Sequence, residues 1–310
     1  MSQKFQPPTM ITPDMAKEIL AKNTKNRRVN KNIVKRYARD MVEGRWKFNG
    51  ASVLISDEGE LIDGQHRLLA CIRSGVTFPA YIVRGLEENV RVTVDSGRKR
   101  SAGDAIQLGG LAESYAPGIA ASSRLVLNYL NGVHVWEIPS TAEIFDLTSQ
   151  QPEIAETHIL AKPAGKIMQV SILGAVLFLG TRERDNDRWA TEFVDAIVSG
   201  ANLREDDPRL VLRNLFLNAR MRSQGNNALP RAPWAFPAIA MGWNAWVQQE
   251  PTKMIRPTST RLGNFKVPDV IGGPAFGSGV DALRAGKISK QRIREVQQEE
   301  AASRNELLSR

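Results

Sequence analysis

Residues 61–75 read LIDGQHRLLACIRSG, and this stretch decides how the N-terminal part of the chain folds. Two apolar residues lead into Asp63, which is the pattern of a short strand that ends in a carboxylate. Gly64 then breaks the strand, and residues 66–74 have the apolar spacing of a helix that Gly75 ends. The turn between strand and helix therefore brings Asp63, His66 and Arg67 close together.

This turn has the properties of a phosphate-binding site. The start of a helix presents backbone N–H groups and the positive end of its dipole, and Arg67 adds a guanidinium. We therefore predict phosphate contacts from Gly64, Gln65, His66 and Arg67. Asp63 can hold Mg²⁺ or accept a proton and His66 can donate one, so these two residues are the catalytic candidates. A structural helix cap with Arg67 in a salt bridge is the alternative interpretation.

The composition is that of a globular protein. The chain has 310 residues, of which 42% are hydrophobic and 24% charged, and this length accommodates two domains. No apolar run is long enough to span a membrane and the N-terminus lacks the apolar core of a signal peptide, so we expect a cytoplasmic protein without a membrane partner. Cys71 is the single cysteine, which excludes an internal disulfide, and we expect it to be a buried packing residue.

The net charge of +9 is concentrated in one segment. Ten lysines and arginines lie between residues 22 and 47, against only Asp40 and Glu43. A local excess of positive charge is typical of contact with a polyanion, although a solvated helix face has the same composition. Residues 30–44 have the spacing of a helix with one apolar and one basic face. The predicted DNA contacts are Arg27, Arg28, Lys31, Lys35, Arg36 and Arg39.

A second segment is also a candidate for phosphate binding. Asp95, Ser96 and Gly97 form a turn, and a run of three cations follows directly. We predict phosphate contacts from Arg98, Lys99 and Arg100, with a solvated charge run as the alternative.

The remaining patterns predict an α+β fold. Strands are expected over 52–56, 60–63 and 78–86, a strand that ends in a turn is expected over 91–97, and amphipathic or buried helices follow residue 110. The expected domains are a small mixed-sheet domain over 8–108, an all-α domain over 111–270, and a loose glycine-rich segment with a charged tail over 271–310. Trp243 and Trp246, three residues apart, are expected in the helical core.

The order of elements in residues 8–108 resembles the N-terminal domain of the ParB family, in the ParB/sulfiredoxin fold. The matching positions are Asn26-Arg27, Val53-Leu54-Ile55, Gly64-Gln65-His66-Arg67, Ala70, Gly75 and Pro79. The pentad Asp63 to Arg67 is also similar to the DGQHR-type relatives found in DNA-modification systems, phages and other mobile elements.

This resemblance implies a DNA-binding protein that binds a nucleotide triphosphate and can hydrolyse it slowly, and it leaves a homo-oligomer open. Gln65 and His66 differ from the ParB turn, so the identity of the nucleotide is not implied. Gln65 also stands where sulfiredoxin has its cysteine, which excludes sulfinic-acid repair. A metal-assisted nuclease or phosphotransferase of the same fold, and a non-enzymatic interaction module, are the alternative functions.

Overall fold

The computed structural model describes residues 7–24, 26, 28–92, 94, 100–133, 138–182, 187–222, 232–260 and 265–283. The chain divides into two compact units. Unit 1 comprises residues 1–100 together with 140–143, and unit 2 comprises residues 101–139 and 144–310. The boundary at residue 100 lies slightly before the predicted one.

The described residues of unit 1 form a four-stranded mixed sheet and three α-helices. In chain order its elements are β1 (Thr9–Ile11), α1 (Pro13–Leu20), α2 (Lys31–Val42), β2 (Ser52–Ser56), β3 (Leu61–Asp63), α3 (Gln65–Ser74) and β4 (Phe78–Leu86). The strand order is β1-β4-β2-β3, with β2 parallel to β4 and the other two pairs antiparallel. The predicted small mixed sheet is thus confirmed, and β1 is an additional strand.

One predicted strand is wrong over its described part. Residues 91 and 92 belong to a 3-10 helix, Glu88–Val92, instead of a strand. The N–H of Val90 donates to the carbonyl of Glu87 at 3.1 Å, so the chain turns directly after β4 and does not stay extended. Residues 95–97 lie outside the described residues.

Local signals explain where the helices of unit 1 begin. The hydroxyl of Thr12 accepts the N–H of Met15 at 3.2 Å, and Pro13 occupies the first turn of α1. The side chain of Asn30 caps α2 by accepting two backbone N–H groups. Helices α1 and α2 both pack against α3. The core of unit 1 contains Ile11, Val53, Ile55, Leu68, Cys71 and Phe78.

Unit 2 is helical apart from one isolated β-bridge in its described residues. Its elements are α4 (Ala102–Leu108), α5 (Ala116–Leu130), α6 (Thr141–Gln150, whose first three residues count with unit 1), α7 (Glu153–Leu160), a 3-10 helix (Lys162–Lys166), α8 (Val170–Gly180), α9 (Asp187–Ser199), α10 (Pro208–Arg222) and α11 (Ala232–Val247). Helix α8 packs against α5, α7 and α11 and is buried from Ile172 to Gly180. Trp243 and Trp246 lie in this core, as predicted. The helices in the described ranges are all too short or too polar to cross a membrane.

The glycine-rich stretch 271–279 is bound to α5, whereas the sequence predicts a loose segment. Gly277 and Gly279 donate their N–H groups to the carbonyls of Tyr129 and Leu130, at 3.0 and 2.7 Å. A Cβ on Gly273 would lie 2.1 Å from the carbonyl oxygen of Leu179. The glycines therefore permit close backbone approach to the helices. The predicted charged tail, from residue 284 onward, lies outside the described residues.

Candidate functional site

The turn between β3 and α3 has the predicted strand–glycine–helix form. Strand β3 ends at Asp63, Gly64 adopts φ 111°, and α3 begins at Gln65. A side chain at Gly64 would be strained by this φ, and its Cβ would lie 3.3 Å from Cγ2 of Val53. Helix α3 starts without a side-chain cap and without an acidic residue in its first turn. This helix start therefore keeps the electrostatic character that favours an anion.

Arg67 is held by the residues around the turn. Its Nη2 donates to the carbonyl of Ser52 at 2.6 Å and to Oδ2 of Asp63 at 2.8 Å. Its Nε is buried and has no hydrogen-bond partner among the described residues. The salt bridge is the contact that the structural-cap interpretation expects. The phosphate interpretation requires the guanidinium to turn, because the unused Nε is buried in this conformation. Both interpretations of Arg67 are compatible with this geometry.

Gln65 and His66 are buried and connect the turn to the segment that precedes α2. Oε1 of Gln65 accepts from Nδ2 of Asn23 at 3.3 Å, and Nε2 of His66 accepts the backbone N–H of Asn30 at 3.0 Å. A ring nitrogen that accepts a hydrogen bond carries no proton, so this nitrogen does not act as a proton donor in this conformation. Because Asn30 caps α2, this contact joins the start of α2 to the start of α3.

The predicted DNA contacts fall into two groups. Arg28, Lys31 and Lys35 are exposed, and Arg36 is half-buried with its guanidinium carbon 5.8 Å from the centre of the Tyr37 ring. No carboxylate of the described residues forms an ion pair with Arg28, Lys31 or Lys35. Arg39 is different because its Nη2 donates to Oε2 of Glu143 at 2.8 Å. Arg27 lies outside the described residues.

A buried polar cluster behind α2 was not predicted. Asp40 and Glu143 are both buried, Nε of Arg45 lies 3.2 Å from Oδ1 of Asp40, and the hydroxyl of Ser140 donates to the same oxygen at 2.8 Å. Burial raises the pKa of Asp40, as does the charge of Glu143, while the hydrogen bonds from Ser140 and Arg45 lower it. The sequence does contain the Ser140–Glu143 capping pattern, but it gives no sign that these residues meet α2, about a hundred positions earlier.

The second predicted phosphate segment is described only at its end. Arg98 and Lys99 lie outside the described residues, and Arg100 is exposed. Ser101 follows directly and begins α4 with a capping box that it forms with Asp104. Phosphate binding by Arg98, Lys99 and Arg100 stays a prediction.

Magnesium binding by Asp63 also stays a prediction. In the part of the chain that the structure describes, no three His, Cys, Asp or Glu side chains are grouped as metal ligands. The Arg67 guanidinium neutralises Asp63, so a cation there would have to displace or share this partner. Asp63 could therefore bind Mg²⁺ only as its single carboxylate ligand, with a bound phosphate supplying further oxygen ligands.

Comparison with known proteins does not assign a family, because no family model, curated protein or solved structure matches this chain.

Proposed function

We propose that unit 1 binds DNA through phosphate contacts at the place where the starts of α2 and α3 meet. The observation that carries this proposal is the 3.0 Å hydrogen bond from the N–H of Asn30 to His66, because it joins two helix starts beside exposed cations. Arg28 and Lys31 flank Asn30 in sequence, and Lys35 follows one turn later on α2.

Electrostatics favours an anion at this place. Neither α2 nor α3 has an acidic residue in its first turn, so neither helix start is neutralised from within its own helix. The cations of Arg28, Lys31 and Lys35 have no carboxylate partner among the described residues, which leaves their charge available to phosphate groups. Arg39 makes a smaller contribution because Glu143 already pairs with it.

The turn Asp63–Arg67 is the proposed site for the phosphates of a nucleotide triphosphate. Its support is the anion-favouring start of α3, the unused Nε of Arg67, and the resemblance of residues 8–108 to the ParB family. Asp63 is the candidate for holding Mg²⁺ or a proton during slow hydrolysis, after Arg67 has turned from the carboxylate to the phosphate. The motif fits a metal-assisted nuclease less well, because two-metal nucleases require several carboxylates and the motif contains one.

The test is the salt dependence of DNA binding, measured by fluorescence anisotropy with a labelled duplex of arbitrary sequence. Four phosphate contacts, from Arg28, Lys31, Lys35 and Arg36, predict that affinity falls about 150-fold between about 50 and 200 mM salt. In the double variant Lys31→Gln/Lys35→Gln, the slope of log affinity against log salt should become shallower by about 1.8.

The matched control is Lys253→Gln/Lys266→Gln, which removes the same charge from two exposed lysines of unit 2. This control should keep the slope of the unmodified protein. Binding that is insensitive to salt, or an equal loss of slope in both double variants, contradicts the proposal. A second duplex of equal length but different base sequence should bind with similar affinity, because phosphate contacts do not distinguish bases.

A further inference from the structure

Unit 2 contains a cleft of about 310 Å³ that the sequence patterns did not indicate. It lies where the side of α9, the start of α10 and the end of α11 come together, and its walls include the indoles of Trp189 and Trp246. The two rings meet edge to face with their centres 4.9 Å apart. Trp246 is only 9% exposed, so the packing of the core fixes its position.

Carboxylates outnumber cations in the lining of this cleft. Glu192, Asp206, Asp207 and Glu250 line it, against Arg204 and Arg209. The excess of negative charge stands out in a protein whose net charge is +9. Electrostatics at this cleft therefore favours a cationic ligand and opposes a phosphate.

One cationic side chain of the cleft, Arg209, is bound by a carboxylate and an indole. Its Nε and Nη2 donate to the two carboxylate oxygens of Asp207 at 3.0 and 2.8 Å, and its guanidinium carbon lies 5.1 Å from the ring centre of Trp246. This pairing lowers the pKa of Asp207, although burial of that carboxyl acts in the opposite direction. Asp207 accepts two of the five N–H groups of the Arg209 guanidinium and offsets its charge, so Arg209 adds little net attraction for an anion.

Two other carboxylates of the cleft, those of Glu250 and Glu192, have oxygens that can still accept hydrogen bonds. Glu250 is exposed, and the described residues provide no ion pair or hydrogen bond to its carboxylate. Glu192 uses Oε1 for Arg188 at 2.6 Å, and its side chain is 46% exposed. Both carboxylates line the cleft from different elements, Glu192 from α9 and Glu250 from the segment after α11.

We propose that this cleft binds an organic cation that carries a guanidinium or ammonium group, with the charge paired to Glu192 and Glu250 and the apolar part against the indoles. Aromatic rings attract such cations through their quadrupole, and carboxylates supply hydrogen-bond acceptors. A bare metal ion fits less well because, among the described residues, no three carboxylates of the cleft are grouped as metal ligands. The inference does not depend on DNA binding by unit 1.

The experiment compares two probes of nearly identical shape, n-butylguanidinium and n-butylurea, by isothermal titration calorimetry with the full chain. The charged probe should bind at least about fivefold more tightly than the neutral one. In Glu192→Gln/Glu250→Gln, affinity for n-butylguanidinium should fall at least about fivefold and affinity for n-butylurea should stay the same. Both glutamates are exposed, so this variant keeps the fold.

The control variant Asp195→Asn/Glu205→Gln removes two exposed carboxylates that do not line the cleft, and it should bind like the unmodified protein. Equal affinity for the two probes, no binding of n-butylguanidinium at about 20 mM, or equal losses in the two double variants overturns the proposal. Tighter binding of adenosine triphosphate than of n-butylguanidinium, lost in Arg204→Gln, also overturns it and assigns a phosphate ligand to the cleft instead.

Discussion

Arg67 connects three elements of unit 1 through a single guanidinium group. The residue belongs to α3, and its Nη2 reaches the carbonyl of Ser52 in β2 and the carboxylate of Asp63 at the end of β3. Only 18% of the Arg67 side chain is exposed, so these charge-assisted hydrogen bonds are partly shielded from water. Replacing Arg67 should therefore affect the stability of unit 1 as well as the proposed binding of phosphate.

Arg67→Ala and Asp63→Asn separate these two roles. Arg67→Ala leaves two acceptors without their donor and should lower the free energy of unfolding by about 1–3 kcal/mol, whereas Asp63→Asn retains an acceptor for Arg67 and should cost about 1 kcal/mol. For a fluorescent nucleotide triphosphate, Arg67→Ala should weaken binding about 10- to 150-fold, and Asp63→Asn should bind like the unmodified protein while losing any hydrolysis.

Urea unfolding and nucleotide titration measure these effects, with Arg73→Ala as the control. Arg73 is an exposed arginine on the same helix, and its loss should change nucleotide affinity by less than about twofold. If Arg67→Ala lowers stability but binds nucleotide like the unmodified protein, the turn is a structural cap.

Cys71, one turn after Arg67, is the packing residue that the sequence predicts. It is fully buried, its Sγ lies 3.6 Å from the carbonyl oxygen of Ile11, and burial raises the pKa of the thiol. Both properties disfavour the reactive thiolate.

Among the elements, those with a local signal could be predicted from the sequence. The apolar runs in 52–56 and 78–86 predict β2 and β4, and Asp63-Gly64 predicts the break between β3 and α3. Strand β1 has only three residues and exists because it pairs with β4, about 70 positions later, which no local pattern reports. The contact between Asp40 and Ser140 could not be predicted either, because it joins residues far apart in sequence. Both are polar residues whose burial depends on tertiary packing.

The turn before α3 should be more sensitive to a side chain than the turn after it. Gly64 has φ 111° with Val53 close by, whereas Gly75 has φ 70° and open space around its missing Cβ. Gly75→Ala should therefore lower the free energy of unfolding by about 1 kcal/mol, through the strain of a left-handed backbone alone. Gly64→Ala should lower it by about 2 kcal/mol or more. Denaturant unfolding of the two variants gives the comparison, and equal losses would show that the Gly64 turn relaxes freely.

At the scale of the whole molecule, stability depends on titratable groups that folding buries, and unit 2 contains one of them. Unit 2 buries His158, whose Nδ1 lies 2.9 Å from the hydroxyl of Ser122. Burial lowers the pKa of His158, and the nearby charge of Lys162 acts in the same direction. The folded unit therefore disfavours the protonated form of this ring.

The stability of unit 2 should fall on acidification because of His158. Above the ordinary pKa of 6.5 both states hold a neutral ring, so His158 adds no pH dependence there. Below that value the unfolded chain takes up a proton that the folded unit resists, and the free energy of unfolding falls by at most about 1.4 kcal/mol per pH unit. Urea unfolding between pH 7.5 and about 5 measures this slope. His158→Gln does not titrate and should flatten the slope, whereas an unchanged slope in this variant would assign it to other groups.

Unit 1 consists of two separate stretches of the chain, and this affects its folding during synthesis. Residues 140–143 belong to unit 1, and Glu143 and Ser140 supply partners for Arg39 and Asp40. During synthesis the sheet and its three helices leave the ribosome first. Arg39 obtains Glu143, and Asp40 obtains Ser140 in addition to Arg45, only after residue 143 has followed. A nascent chain, or an expression fragment that stops near residue 110, therefore carries a buried carboxylate and an arginine that are incompletely paired, and such a fragment should be a poor substitute for unit 1.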